Sequence, residues 1–432
     1  MALILTSQKV ESGHTPSIGG HSRKHAVPET IAATAQRLSR LPPTAFLALY
    51  ITQRFGVGMT ELGALIGIFA VMAVPGSVLG GALADRLGRK GTMLFGLVVS
   101  ALTSLLLGWA SSFQLVFLSL IIVGLFAEVG GPARQAMVAD LLPEEQRGQG
   151  FGLLRVVHNL AVAVGPIIGG LIATRSFFFL FVADAVTSLI TAGVVSTFLR
   201  ETKPSADSSA ERESALQTLQ GYGTVLRDIR FTAFVLASML VMAVSMQMSL
   251  TLPVYLRDIH NVSPQGFSYI LSLNATMVVL FQFALTRRVR RYQPMLLMAL
   301  GAALYGLGYV LYGLVSAYAL FLSAMVLVTI GEMIFHPTAQ AVAAQMAPED
   351  MRGRYMAAYG FTWIIPAMFG TLLSGLIMDN MDPRWVWYAT GLAGLTAALA
   401  FILLNRQLGA SALADEATAV RVAVEVSDIE TA

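Results

Sequence analysis

Residues Gly80-Gly81-Ala82-Leu83-Ala84-Asp85-Arg86-Leu87-Gly88-Arg89-Lys90 close one long apolar run and open the next. An acid and three bases are packed into a turn between two stretches that are each long enough to cross a bilayer. That decides the fold, because charge confined to a short turn between two such stretches marks a chain leaving hydrocarbon and returning to it. Gly81 and Gly88 allow close helix approach and a tight turn. Asp85 at a helix end wants a cation or a helix N-terminus, while Arg86, Arg89 and Lys90 anchor the turn at the membrane surface. Topology alone would explain the bases, but an acid adds nothing to a positive-inside count.

Composition agrees with this reading. Of 432 residues, 56% are hydrophobic and 12% charged, with mean hydropathy +0.69; soluble domains carry about a quarter charged residues. The chain is therefore a polytopic membrane protein, with lipid as its main partner. Its 39 glycines and 20 methionines suit close helix packing in lipid. With no cysteine, disulfides, thiolate catalysis and cysteine metal sites are excluded. Gly148-Gln-Gly-Phe-Gly152 follows no strand and has no acid at the spacing a dinucleotide loop needs. No nucleotide-binding loop appears, so ATP-driven work would need a separate subunit. The basic turns are topology markers rather than nucleic-acid sites. Neither an enzyme nor a cofactor nor a metal site is expected, and the Asn-x-Ser/Thr triplets at Asn261 and Asn274 carry no weight.

Working outward, residues 1–40 are polar, hold His14, His21 and His25 at irregular spacing, and lack a signal-peptide apolar core; a tail is expected rather than a metal site. Five apolar runs follow within a first unit, 41–199: Thr60 to Ala84, Thr92 to Ala110, Phe113 to Pro132, Gly152 to Thr174 and Phe177 to Leu199. Residues 200–230 are polar and read as a solvated linker. Six more runs fill a second unit, 231–404: Phe231 to Leu256, Phe267 to Thr286, Met295 to Val315, Tyr318 to Gln340, Tyr355 to Met378 and Trp385 to Leu404. A polar tail, 405–432, ends the chain.

An internal repeat organises these runs. Pro132-Ala-Arg-Gln-Ala-Met-Val-Ala-Asp-Leu-Leu-Pro-Glu-Glu-Gln-Arg-Gly148 aligns with Pro337-Thr-Ala-Gln-Ala-Val-Ala-Ala-Gln-Met-Ala-Pro-Glu-Asp-Met-Arg-Gly353, an offset of 205. The same offset places Tyr50 on Tyr255, Gly165 on Gly370 and Gly170-Leu-Ile172 on Gly375-Leu-Ile377. The expected fold is all-α, two six-helix bundles in parallel repeat. One helix breaks the pattern. The stretch before Tyr50 contains Glu29, Arg37, Arg40, Pro28, Pro42 and Pro43, whereas its counterpart before Tyr255 is uncharged. Mid-helix arginine costs about 2.5 to 3.5 kcal/mol on insertion scales, and paired prolines break the backbone ladder. Only Ala45 to Ile51 reads as membrane helix. Helix 1 is expected to be incomplete or replaced, through a misplaced start or a frame lesion upstream of Phe46; the alternative is a kinked helix whose arginines face water.

Alternate turns carry the bases. Arg86, Arg89 and Lys90; Arg147; Arg200, Lys203, Arg212, Arg227 and Arg230; Arg287, Arg288, Arg290 and Arg291; and Arg352 with Arg354 fall on one side, against single arginines at 54, 175, 257 and 384 on the other. The positive-inside rule puts both termini in the cytoplasm, in a plasma (inner) membrane.

The residues now carry a resemblance. Gly81-x-Leu83-x-Asp85-Arg86-x-Gly88-Arg89-Lys90 between the second and third helices resembles the loop signature of the major facilitator superfamily, with a degenerate copy at Leu285 to Met295. Gly165-Pro166-Ile-Ile-Gly169-Gly170 in the fifth run is similar to the antiporter signature of its drug:proton exporter branch. The resemblance covers nearly the whole chain from Phe46 to Leu404. It implies a conformational latch in which Asp85 and Arg89 join Asp140 at the end of helix 4, near Tyr355 at the start of helix 11, and lock the outward-facing state. It also implies a fifth helix whose glycines and Pro166 shape packing and seal against proton leak. One departure concerns the proton path: the branch carries an arginine early in helix 4, and Phe113 to Ala127 has none.

Intramembrane ionisable groups are costly and so are candidates for substrate or proton work. Glu128 lies about 15 residues into helix 4 and Glu332 near the middle of helix 10, almost at repeat-equivalent positions, with Asp184 nearer the outer end of helix 6. Buried carboxylates titrate nearer neutrality, which coupling requires. Structural pairs are the rival reading, Glu128 with Arg134 or Glu332 with His336. Arg155, His158 and Asn159 sit at near-helical spacing and could line a cavity. The expected function is proton-coupled export of small amphipathic compounds by a monomer, with the proton gradient as energy source. An importer of a polar metabolite and a non-transporting sensor or inactive remnant are the alternatives.

Overall fold

The computed structural model describes residues 46–127, 129–131, 133–134, 137, 164–165, 168–199, 201, 223–225, 227–289, 291–348 and 351–430; for 78, 81–82, 85–87, 127, 352–353 and 408–430 the description covers the backbone alone. No strand occurs among them. The helices are α1 (46–55), α2 (Met59–Leu87), α3 (Arg89–Trp109), α4 (Phe113–Ala127), α5 (168–173), α6 (Phe177–Phe198), α7 (Ile229–His260), α8 (Pro264–Val289), α9 (Pro294–Leu314), α10 (Tyr318–Met346), α11 (Arg352–Asn380) and α12 (Arg384–Glu430). Among the described residues nine are long and apolar enough to cross a membrane. Leu102, Leu236, Leu280 and Leu392 are each more than half exposed, as helices that face lipid require.

Two hydrogen bonds show the repeat in three dimensions. The Tyr50 hydroxyl donates to the Leu107 carbonyl at 2.6 Å and the Tyr255 hydroxyl to the Tyr312 carbonyl at 3.2 Å; both pairs are related by the offset of 205. The same offset carries α1 onto the second segment of α7, Thr251–His260. The apolar run read as one continuous helix is interrupted, with segments Ile229–Met246 and Thr251–His260 of α7 joined by a turn at 247–250. Pro253 accounts for the interruption. It has no N–H for the Ser249 carbonyl, and it falls in the first turn of the second segment, where none is needed. The Gln247 side chain bridges the gap, donating to the Ala243 carbonyl and accepting from Thr251. The charged stretch before Phe46 lies outside the described residues.

Within the first half α2 packs on α4 and α3 on α6; within the second, α9 packs on α10 and α12, α8 on α10, and α7 on α11 and α12. An aromatic core holds the second half together, with fully buried Trp387 against Tyr255, Tyr309 and Tyr312. The halves meet at the end away from the basic turns. There α2 lies on α11, Phe46 meets Phe267 edge-on at 6.2 Å, and Arg257 donates from Nη1 to Thr52 Oγ1 at 2.9 Å. Towards the basic end α2 packs on α4. Gly76 and Gly80 approach the backbone of Leu125 and Val129, and a Cβ at Gly360 of α11 would meet open space. Among the described residues the close approach of α2 to α11 runs from Gly58–Asp379 to Gly67–Met368.

Asp228 caps α7, accepting from the Phe231 amide at 3.0 Å and from the Tyr355 hydroxyl at 3.1 Å. Asp228→Ala should cost about 1 kcal/mol and lower the thermal midpoint in detergent slightly; a midpoint equal to the parent's would deny the cap any weight.

Candidate functional site

Midway along α10, Glu332 sits one helical turn before His336, so both side chains leave the same face. Pro337 follows, and its missing N–H frees the Met333 carbonyl. That carbonyl is not orphaned, because Gln282 of α8 donates to it from Nε2 at 2.9 Å. Helix α8 also supplies Asn274, which is buried. Its amide nitrogen donates to Glu332 Oε2 at 2.6 Å and to Thr329 Oγ1 at 3.0 Å, while the Thr329 hydroxyl donates to the Met325 carbonyl. The amide is thereby held with both protons used and aimed at the carboxylate. Glu332 Oε1 has no hydrogen bond among the described residues. The next turn is aromatic. His336 Nε2 lies 3.4 Å from the Tyr305 hydroxyl, which is 3.4 Å from Ser245 Oγ. The His336 ring stacks on Trp363 of α11 at 6.1 Å and 21°, and Trp363 is 48% exposed.

Helices α8 and α10 thus meet at the Glu332 carboxylate midway along α10, and α7, α9 and α11 gather one turn on at Tyr305 and His336. The carboxylate oxygen Oε2 is fixed by an amide, and a stacked indole and imidazole lie one turn away. Such a group can take up and release a proton, or meet a cation beside an aromatic face. Of the two residues posed as a structural pair, Glu332 is bonded to Asn274 and His336 is placed against Tyr305 and Trp363. Asn274, Tyr305, Ser245 and Trp363 were not singled out as site residues from sequence. Asn274 was legible as an amide within an apolar run; the three others carry no local signal.

In the opening turn, Gly88 has φ +88, a left-handed conformation that favours glycine. Glu201, just past α6, accepts from the amides of Lys90 and Gly91 at 3.2 and 3.3 Å and so caps α3. Lys90 Nζ donates to the Ser196 carbonyl at 2.7 Å, near the C-terminus of α6, and buried Arg89 donates to the Ala84 carbonyl at 3.3 Å. These contacts all stay within the first half, and Tyr355 is engaged by Asp228 within the second. Gly81, Asp85 and Arg86 lie on α2 with their side chains outside the description, and Asp140 lies outside the described residues.

Gly165, Gly169 and Gly170 are buried, and a Cβ on Gly170 would run into Ser268 of α8. The fifth helix thus contributes to the junction between the halves, at the repeat image of the α2–α11 contact. Arg134 is partly buried. Glu128, Pro166, Arg155, His158 and Asn159 lie outside the described residues. Asp184 is buried in the seam between α3 and α6, where it accepts from the Ser104 hydroxyl. If the carboxylate serves only to hold this seam, Asp184→Asn should keep the pH dependence of transport and lower the thermal midpoint; an altered pH profile would keep Asp184 in the proton path.

The Major Facilitator Superfamily model matches residues 31–371 and 298–426. A Na(+), Li(+), K(+)/H(+) antiporter of Planococcus maritimus is 28% identical over 80% of this chain and 86% of its own length. Multidrug resistance protein MdtH of Escherichia coli (strain SE11) is 24% identical over 82% and 87%. Among solved structures, a POT family transporter in complex with a thioalcohol conjugated peptide superposes with TM-score 0.75 at 17% identity, covering 88% of this chain and 96% of that one. The nucleoside transporter NupG gives TM-score 0.74 at 16% identity, covering 88% and 98%. With twelve described helices in two repeated halves, a family match along most of its length and a shared fold, the chain belongs to the Major Facilitator Superfamily and is a transporter, not an enzyme.

Proposed function

We propose that the protein is a proton-coupled antiporter that exports small amphipathic compounds by alternating access, with units 41–199 and 231–404 rocking about a site at Glu332. The observation that carries this reading is the Glu332 carboxylate, held by Asn274 in mid-membrane one turn from the His336–Trp363 stack. A carboxylate in that setting exchanges a proton against a cationic or amphipathic solute, and an exposed indole offers the apolar face such a solute needs. Two relatives named above are a cation/proton antiporter and a multidrug resistance protein, which support proton-linked export. On the positive-inside rule the basic end is cytoplasmic, so the close α2–α11 approach lies at the outer end. Expression in a dye-accumulating host should lower the steady-state level of a lipophilic cation, and a protonophore should abolish the difference. Accumulation that neither expression nor the uncoupler alters would reject export.

A second reading, exchange of a monovalent metal cation for protons, is supported by the 28% identity to the Planococcus maritimus protein. Everted vesicles separate the two. Dequenching of a pH dye on addition of sodium or potassium alone supports the second reading; dequenching only on addition of a lipophilic cation supports the first.

A further inference from the structure

The N-terminus of α2 has no cap from its own half. Gly58 stands at the N-cap position, at φ −73° and ψ 174°, with no side chain to accept from the first turn, so the amides that follow need an acceptor from elsewhere. They find it on α11. Asp379 accepts from the Met59 amide at 2.9 Å through Oδ1 and from the Thr60 amide at 2.7 Å through Oδ2. The approach depends on missing side chains. A Cβ at Gly58 would lie 2.6 Å from Asp379 Oδ2, one at Gly63 would lie 2.6 Å from the Thr371 carbonyl, and one at Gly375 would meet the Met59 carbonyl.

The repeat counterpart is built differently. Helix α8 opens on Pro264, which has no N–H to satisfy, and Ser263 beside it accepts from the Gly266 amide at 3.1 Å. The residue that the offset matches to Asp379 is Thr174, and its hydroxyl donates to the Leu171 carbonyl in its own helix. Of the two pseudo-equivalent junctions, one carries a carboxylate reaching across and the other does not.

We infer that Asp379 is an N-cap supplied in trans, a latch that ties the first turn of α2 to closure of the end opposite the basic turns. When α2 and α11 separate there, the Met59 and Thr60 amides lose their acceptor, and only Glu61 of the first turn still faces the positive end of the α2 dipole. The bonds therefore favour the conformer that opens on the basic side. The inference requires the halves to move against one another and is independent of which solute is carried.

The chain has no cysteine, so spin labels at Ser111→Cys and Ser316→Cys report without background. Both serines are exposed, in the α3–α4 and α9–α10 turns at the latched end. Interspin distances in lipid nanodiscs should be mainly short in the labelled parent. Asp379→Ala should raise the ratio of long to short distances about fivefold, the effect of one capping interaction. Asp379→Asn keeps an oxygen acceptor and should stay within about twofold of the parent. Adding Gly58→Ser to Asp379→Ala supplies a cap from within the first half in either conformer. It should recover the thermal midpoint but leave the distances shifted, and it carries the measurement if Asp379→Ala alone labels poorly. An unchanged distribution in Asp379→Ala, a single distance in every variant, or distances that return together with the midpoint would each overturn the latch. No flux is read, so a wrong solute assignment leaves the result standing.

Discussion

Glu332→Gln should abolish proton-driven transport while leaving the protein folded and able to exchange solute for solute. The glutamine side chain has the shape of glutamate, and its amide oxygen can accept from Asn274 Nδ2 as Oε2 does. The helix contact is kept and only the titrating proton is lost. In proteoliposomes with an imposed pH gradient, solute movement should fall on the order of a hundredfold, the low end of what a positioned proton carrier contributes in catalysis. Counterflow without a gradient should persist, because the Trp363 and His336 faces are untouched. Thermal midpoints should match. Gradient-driven transport at the parent rate in Glu332→Gln would move the proton to another carboxylate, with Glu128 next in line.

How far the sequence reached follows from the kind of signal each feature leaves. Spans and repeat were legible because hydropathy and a fixed offset are properties of one strand of sequence. The Tyr50–Leu107 and Tyr255–Tyr312 bonds then obey that offset without adjustment. Glu332 was legible because charge in an apolar run is costly and stands out. Its partner Asn274 was set aside with its Asn-x-Thr triplet, since nothing local says that α8 faces α10. Tyr305, Trp363 and Ser245 look like any core residues at helical spacing. The break in α7 was hidden because Pro253 lies inside an unbroken apolar run, where hydropathy is blind to a missing N–H. In the Gly80 to Lys90 turn the charges were visible, but their assignments were not. Glu201 lies 111 residues from Lys90, and only the packing of α3 on α6 brings it there. Asp379 was invisible for the same reason: a carboxylate after a membrane run reads as an ordinary surface charge until α11 is laid against α2.

Gly375→Leu should disable transport without unfolding either half, and Gly76→Leu, a change of equal bulk, should do the reverse. Both glycines allow backbone to approach backbone. A Cβ at Gly375 would meet the Met59 carbonyl, and one at Gly76 the Leu125 carbonyl. Neither neighbour can swing aside as a side chain would, so each leucine must force two helices apart. What differs is where the helices belong. Gly76 and Leu125 are both in the first half, whose packing holds in every conformer, so overpacking there costs about 1 to 3 kcal/mol or more of fold stability and lowers the thermal midpoint and the yield of inserted protein. Gly375 and Met59 belong to different halves, and their contact exists only when the end opposite the basic turns is closed. A leucine there leaves each bundle intact and wedges the junction open, so the cycle stalls in one conformer. Transport should fall at least about tenfold, since a closed state raised by about 1.4 kcal/mol or more is populated tenfold less. The thermal midpoint should fall no further than in Asp379→Ala, which loses the bonds of the same junction. Full transport in Gly375→Leu would mean that the halves do not need this contact, and loss of inserted protein to the extent seen in Gly76→Leu would mean that the α2–α11 junction is part of the fold and not a moving joint.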